Sequence, residues 1–117
     1  MKQLSKQEAK TLLEPVPYSQ WLSAGRMLMP SGIHKHLLGS LSEVHWFLEP
    51  TSKSLPSIDF DRLADWLETT IKDEHIAREV RHTAEVSSSY VETCKMVYEL
   101  VGARISEAEE VLENAHS

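Results

Sequence analysis

The ten residues Asp73-Glu74-His75-Ile76-Ala77-Arg78-Glu79-Val80-Arg81-His82 hold two histidines, three acids and two arginines. These are the residue types that bind metals and move protons. On a helix, His75, Glu79 and His82 stand at i, i+4 and i+7, within roughly 60° of one another. Three side chains of ligand type then share one narrow stripe. A helical iron or zinc site on His75, Glu79 and His82 is one chemical reading of this stretch.

Glu79-Val80-Arg81-His82 also matches the Glu-x-x-His pattern, which in di-iron bundles puts a carboxylate and an imidazole on one metal. Glu43 and His45 are candidates for the remaining ligands. Four features oppose this reading. A di-iron centre needs two such motifs, and the chain has one. His75 and His82 lie about 10 Å apart along a helix axis, whereas a zinc pair uses i, i+4. Arg78 and Arg81 repel a cation. The stripe also lies roughly 110° from the apolar seam of the same helix. The plainer alternative is a solvated flank whose charge pairs contribute a few tenths of a kcal/mol each. Arg78 and His82 could act as an acid/base pair only in a cleft that desolvates them, and no sequence feature announces one.

Other chemistry-bearing residues read as structural. His34 and His45 fall on an apolar stripe, about 16 Å apart along a helix, too far to share a metal. Each is expected at the rim of the core with a hydrogen-bond partner; pH sensing or a ligand site is the functional alternative. Cys94 lies on a seam and reads as a small buried hydrophobe, because a nucleophile needs a base and an electropositive, exposed setting. Ser87, Ser88 and Ser89 interrupt good helix formers and mark a crossing point of small side chains. Gly39-Ser40-Leu41-Ser42 lacks the glycine spacing and lysine of a phosphate loop.

These residues need elements to position them. Ser5 with Glu8 forms a capping box for a helix over 5–13. Pro15 and Pro17 break the chain. A second helix is expected from about Tyr18 to Met29, ended by Pro30. Ser31 caps a third, running to Glu49 and stopped by Pro50. In 100° steps from Leu41, the residues Ile33, Leu37, Leu38, Val44 and Leu48 form its core stripe. Trp46 and Phe47 fall outside that stripe and, with Met27 and Met29 near in sequence, make a second, contact-type surface. Residues 50–58 are rich in proline and serine and read as an interhelical loop. Asp59 or Asp61 starts a fourth helix through Leu63, Trp66, Leu67 and Ile71, and Asp73 caps another. From there Ile76, Val80, Thr83, Ser87, Tyr90, Cys94, Val97 and Val101 step by four and three, a heptad seam. At Gly102 the phase slips to Ile105, Ala108, Leu112 and Ala115, which means a stutter or a bend.

Composition sets the outer limits. The 117 residues suit one domain, 1–117, large enough for a core without disulfides. Hydrophobic residues at 41% exclude disorder over most of the length. Only four glycines argue against an all-β fold. One cysteine excludes an intrachain disulfide and a multi-cysteine zinc site. The net charge of −6, with scattered lysines and arginines, disfavours nucleic acid and anionic membranes; the nearest basic stripe is Lys2, Lys6 and Lys10. No run suits a membrane span or a signal-peptide core, so the expected compartment is the cytoplasm.

The expected fold is all-α: an irregular bundle of four to five helices with a long C-terminal helix. The expected function is a non-enzymatic protein–protein interaction module, acting as a small subunit, adaptor or regulator. It is expected to self-associate through the 76–101 seam or the Trp46/Phe47 face, with Trp46, Phe47, Ser87, Tyr90 and Cys94 at the contact. No cofactor is expected; the alternative is the iron or zinc site on His75, Glu79 and His82.

Overall fold

Side-chain caps set four helix starts. Ser5 forms the full capping box with Glu8 and opens α1, Lys6–Leu13. Ser40 accepts from the Glu43 amide and opens α2, Leu41–Phe47. Asp59 takes the amides of Asp61 and Arg62 and opens α3, Phe60–Thr69. Asp73 takes the Ile76 amide and opens α4, Glu74–Val86. The last helix, α5, is Tyr90–Asn114. This computed structural model describes residues 4–28, 32–49 and 54–114. Lys2, Met29, Pro30, Ser31, Pro50 and Ala115 lie outside them, as do the side chains of Met27, Ile33 and His34.

The chain is mostly helical but not all-α, because three strands stand where helices and a loop were expected. β1 is Leu22–Leu28, β2 is Gly32–Leu38 and β3 is Ser54–Ser57, in the order β2-β1-β3. β1 pairs antiparallel with β2 from Leu22↔Leu38 to Leu28↔Gly32. It pairs antiparallel with β3 from Gly25↔Ser57 to Leu28↔Ser54. The expected helix over Tyr18–Met29 is therefore a 3-10 turn, Tyr18–Gln20, followed by β1. The expected helix from Ser31 to Glu49 is β2 followed by α2. Gly25 inside the first segment weakens a helix, and Gly32 starts β2 at φ 91°, a conformation that favours glycine. The loop over 50–58 contains β3, whose Pro56 is tolerated because β3 is an edge strand.

The sheet has two unlike faces. Leu22 and Leu38, paired across β1 and β2, are buried. His36, two residues from Leu38, sets its ring 5.5 Å from that of Phe47 on α2. The intervening Ser23, Leu37 and Lys35 point the other way and are exposed. Phe47 is fully buried, not part of a second surface. With α2 only seven residues long, Leu41, Val44 and Phe47, one turn apart each, all belong to its core face. Trp46, on the opposite side, is 59% exposed.

The core holds Leu12, Leu41, Val44, Phe47, Leu48, Leu63, Leu67, Val80, Val97 and Val101, contributed by all five described helices or their caps. α3 packs on α4, and α1, α2 and α4 pack on α5. The 76–101 seam is not one long helix. Ser87 donates its amide to Thr83 O and closes α4, while Ser89 accepts from the amides of Glu92 and Thr93 and begins the next helix. Further short bonds join Ser87 to Thr93 and Ser88 to Glu92. The chain folds back here, so Ile76, Val80 and Thr83 are buried in the same core as Cys94, Val97 and Val101. α5 runs unbroken through Gly102.

Candidate functional site

Asp73 is the anchor of the 73–82 stretch. Its Oδ1 accepts from the Ile76 amide at 3.3 Å. The Arg104 guanidinium reaches across from α5, with Nε 2.7 Å from Oδ2 and Nη2 3.1 Å from Oδ1. Both residues are 7% exposed. Arg104 Nη1 also donates to Glu107 Oε2 at 2.9 Å. Burial works against the Arg104 charge, but the bonds to Asp73 and Glu107 outweigh it and raise the pKa. Just before Asp73, Lys72 sits at φ 66°, while the amides of Thr70 and Ile71 both return to Trp66 O and that of Asp73 to Leu67 O. This turn ends α3 and aims the chain into α4.

Beside Asp73 is a cleft of about 810 Å³. It is lined by Leu4, Thr11 and Leu12, by Ile71 and Lys72 at the turn, and by His75, Arg78 and Arg104. No local pattern announces this cleft, because its walls come from both ends of the chain. It divides the expected metal stripe. His75 and Arg78 line it, whereas Glu79 and His82 do not. His82 is exposed and Glu79 half-buried. Among the described residues, no three His, Cys, Asp or Glu side chains are grouped to hold a metal ion. Arg81 turns to α3 instead, with Nη2 2.7 Å from Asp65 and Nη1 2.9 Å from Glu68.

The expected contact residues separate as well. Cys94 is buried, and burial pushes its thiol pKa up despite the Tyr90 hydroxyl nearby. It offers no surface. Ser87 is half-buried and bonded to Thr93. Tyr90 is partly exposed but serves as a tie: its hydroxyl donates to Pro56 O at 2.5 Å and accepts from the Ile58 amide at 2.9 Å. Its ring lies 5.7 Å from Phe60. The phenol thus fastens β3 and the start of α3 to α5.

Tyr90 also carries a pH dependence. Burial pushes its pKa from near 10 to about 12, although the Ile58 amide acts the other way. Between these values the unfolded chain has lost a proton that the folded chain still holds, so stability falls as pH rises from about 10 through about 12. Tyr90→Phe should remove that part of the decline. At neutral pH it should cost about 1–2 kcal/mol, by leaving the Ile58 amide unpaired. Urea unfolding of both proteins along a pH series checks both statements; equal slopes above pH 10 would contradict the assignment.

His45 stacks on Tyr98, with centroids 4.3 Å apart and planes 7° apart, above Gly102. That is a half-buried place, as expected, but what holds the ring is stacking on Tyr98, where a hydrogen-bond partner was expected. The side chain of His34 is outside the described residues.

A second candidate surface is the outer sheet face. Tyr18 and Trp21 set their rings 4.8 Å apart. Trp21 Nε1 donates to Val16 O at 2.9 Å, and its ring lies directly over Gly39. Leu37, two residues from Gly39 in β2, shares this face. Tyr18 is 71% exposed, and Trp21 and Leu37 are exposed as well. A helical reading of 18–29 and 31–49 puts a contact surface at Trp46 and Phe47 instead. With strands there, period two turns Leu37 outward, opposite to the buried Leu38.

Among the described residues no helix is long and apolar enough to cross a membrane. No protein-family model, curated protein or solved structure matches the chain.

Proposed function

We propose that the chain is a non-enzymatic interaction module of the cytoplasm, acting as a small subunit, adaptor or regulator whose first partner is a second copy of itself. Exposed Tyr18 and Trp21, with their rings 4.8 Å apart, together with exposed Leu37 on the outward side of β2, carry this reading. Exposed aromatic side chains fixed in place give contact area at little entropic cost, and aromatic residues are enriched at the centres of interfaces. Trp21 is held by Val16 and Gly39, so its ring is in place before contact. The acidic balance and scattered basic residues favour a protein surface over nucleic acid. A free, buried thiol at Cys94 suits a reducing compartment.

Three large side chains are fewer than a standard interface of roughly 800 Å² per partner employs. The association is therefore expected to be weak. Sedimentation equilibrium from micromolar to millimolar protein should show reversible dimers. The double variant Tyr18→Ser/Leu37→Thr, which spares the structural Trp21, should weaken the dimer by about tenfold or more. A strictly monomeric parent protein, or dimers unaffected by the double variant, would overturn the reading.

A further inference from the structure

We propose that the open edge of β2 takes an extended acidic peptide segment of another protein as a fourth strand. This goes beyond the outer-face reading and needs neither Tyr18 nor Trp21. β2 pairs with β1 at every position from Gly32 to Leu38, and with no other strand among the described residues. Alternate residues of such an edge direct N–H and C=O away from the paired neighbour, where a further strand can bond them. Outside the sheet, the one described main-chain bond nearby runs from the Val16 amide to Gly39 O, just past the strand. β2 has neither a proline nor a break in register to blunt it, whereas β3 on the other edge is four residues long and contains Pro56.

Charge complementarity selects the strand. The ionisable residues of β1, β2 and β3 are Arg26, His34, Lys35 and His36, and none is an acid, in a chain whose net charge is −6. Lys35 stands at the middle of β2, is exposed, and has no ion-pair partner among the described residues. Glu43, the acid nearest to it in sequence, keeps its charge but is fixed on the Gly39 amide. Gly39 is about 13 Å from Lys35 along the strand direction. An incoming strand therefore meets Lys35 as a cation. A second β2 laid antiparallel about its midpoint sets Lys35 against Lys35, which repels, whereas a glutamate or aspartate at that place is attracted. The charge that turns away a copy thus selects an acidic strand. Main-chain bonds supply the affinity, and the residue opposite Lys35 supplies the choice.

The test is amide NMR of the dilute ¹⁵N-labelled full chain, titrated with a short capped threonine peptide carrying glutamate at its centre. The same peptide with lysine at the centre, and one with proline on each side of the glutamate, are separate arms. The glutamate peptide should give saturable shifts in β2 from Ile33 to Leu37. The lysine peptide should bind there about tenfold more weakly. The proline-flanked peptide keeps the charge but lacks the strand donors, and should not saturate. Lys35 is exposed, so Lys35→Glu should keep the parent spectrum elsewhere while inverting the preference in favour of the lysine peptide. Tyr18→Ser/Leu37→Thr should bind the glutamate peptide as the parent does, which separates this site from self-association. Absence of saturable shifts, equal affinity for both peptides, saturation by the proline-flanked form, no inversion in Lys35→Glu, or shifts at Ser54–Ser57 instead would each overturn the proposal. So would β2 shifts that grow with protein concentration alone, which would give the edge to a second copy.

Discussion

Asp73→Ala should cost about 3 kcal/mol or more, enough to consume a large part of a small domain's stability of roughly 5–15 kcal/mol. The substitution strands the Arg104 guanidinium at 7% exposure with two of its three bonds removed. Breaking a buried pair from one side typically costs about 3–5 kcal/mol, because the remaining charge is desolvated without compensation. Glu107 still accepts from Arg104 Nη1, which places the expected cost at the lower end. Loss of the α4 cap adds about 1 kcal/mol. The double variant Asp73→Ser/Arg104→Met separates these contributions. Serine keeps a cap and methionine fills the space without a charge, so the double variant should lie within about 2 kcal/mol of the parent. Urea unfolding at neutral pH measures all three proteins. An Asp73→Ala cost below about 1 kcal/mol, the range of exposed pairs, would show that the pair behaves as a solvated one.

Gly102→Ala should reverse its sign with the residue at position 45. Helix propensity alone makes alanine about 1 kcal/mol better than glycine inside α5. An added Cβ would stand 2.7 Å from His45 Nε2 and 3.2 Å from Cδ2. The ring cannot yield freely, because it is stacked on Tyr98. Displacing it should outweigh the propensity gain and leave the variant about 1–2 kcal/mol less stable. With His45→Ala already in place, the same Gly102→Ala change should stabilise by about 1 kcal/mol. A double-mutant cycle by urea unfolding then gives a coupling of roughly 2–3 kcal/mol. Equal effects in both backgrounds would show that His45 does not rest on Gly102.

Local chemistry was legible and distant chemistry was not. Ser5, Asp59 and Asp73 cap helices as their side chains promised, because a cap acts within three residues. Of the seam positions around the serines, Ile76, Val80, Thr83, Cys94, Val97 and Val101 are buried as their spacing implies, but Tyr90 is partly exposed, and the serines turn the chain instead of letting helices cross. The hairpin was misread because Leu22, Met27, Leu28, Ile33, Leu37 and Leu38 fit a helical stripe about as well as two alternating strands. Gly25 and the run Pro30-Ser31-Gly32 were the turn and strand signals to set against that stripe. Ser40 with Glu43 is a readable cap in the middle of the 31–49 segment. The Asp73–Arg104 pair and the cleft had no sequence signal, since their residues meet only when α5 and α1 close around α4.

The three-stranded sheet has an asymmetry that bears on how the protein avoids aggregation. An open sheet offers unpaired backbone groups along both edges, and any foreign strand can add there. On one edge, β3 is only four residues long and contains Pro56, which lacks a donor. On the other, β2 runs for seven residues without proline. Lys35 supplies the charge that resists a stacked copy on that side. Fibril-type growth of this molecule is therefore a one-sided hazard, and a single lysine is its gatekeeper.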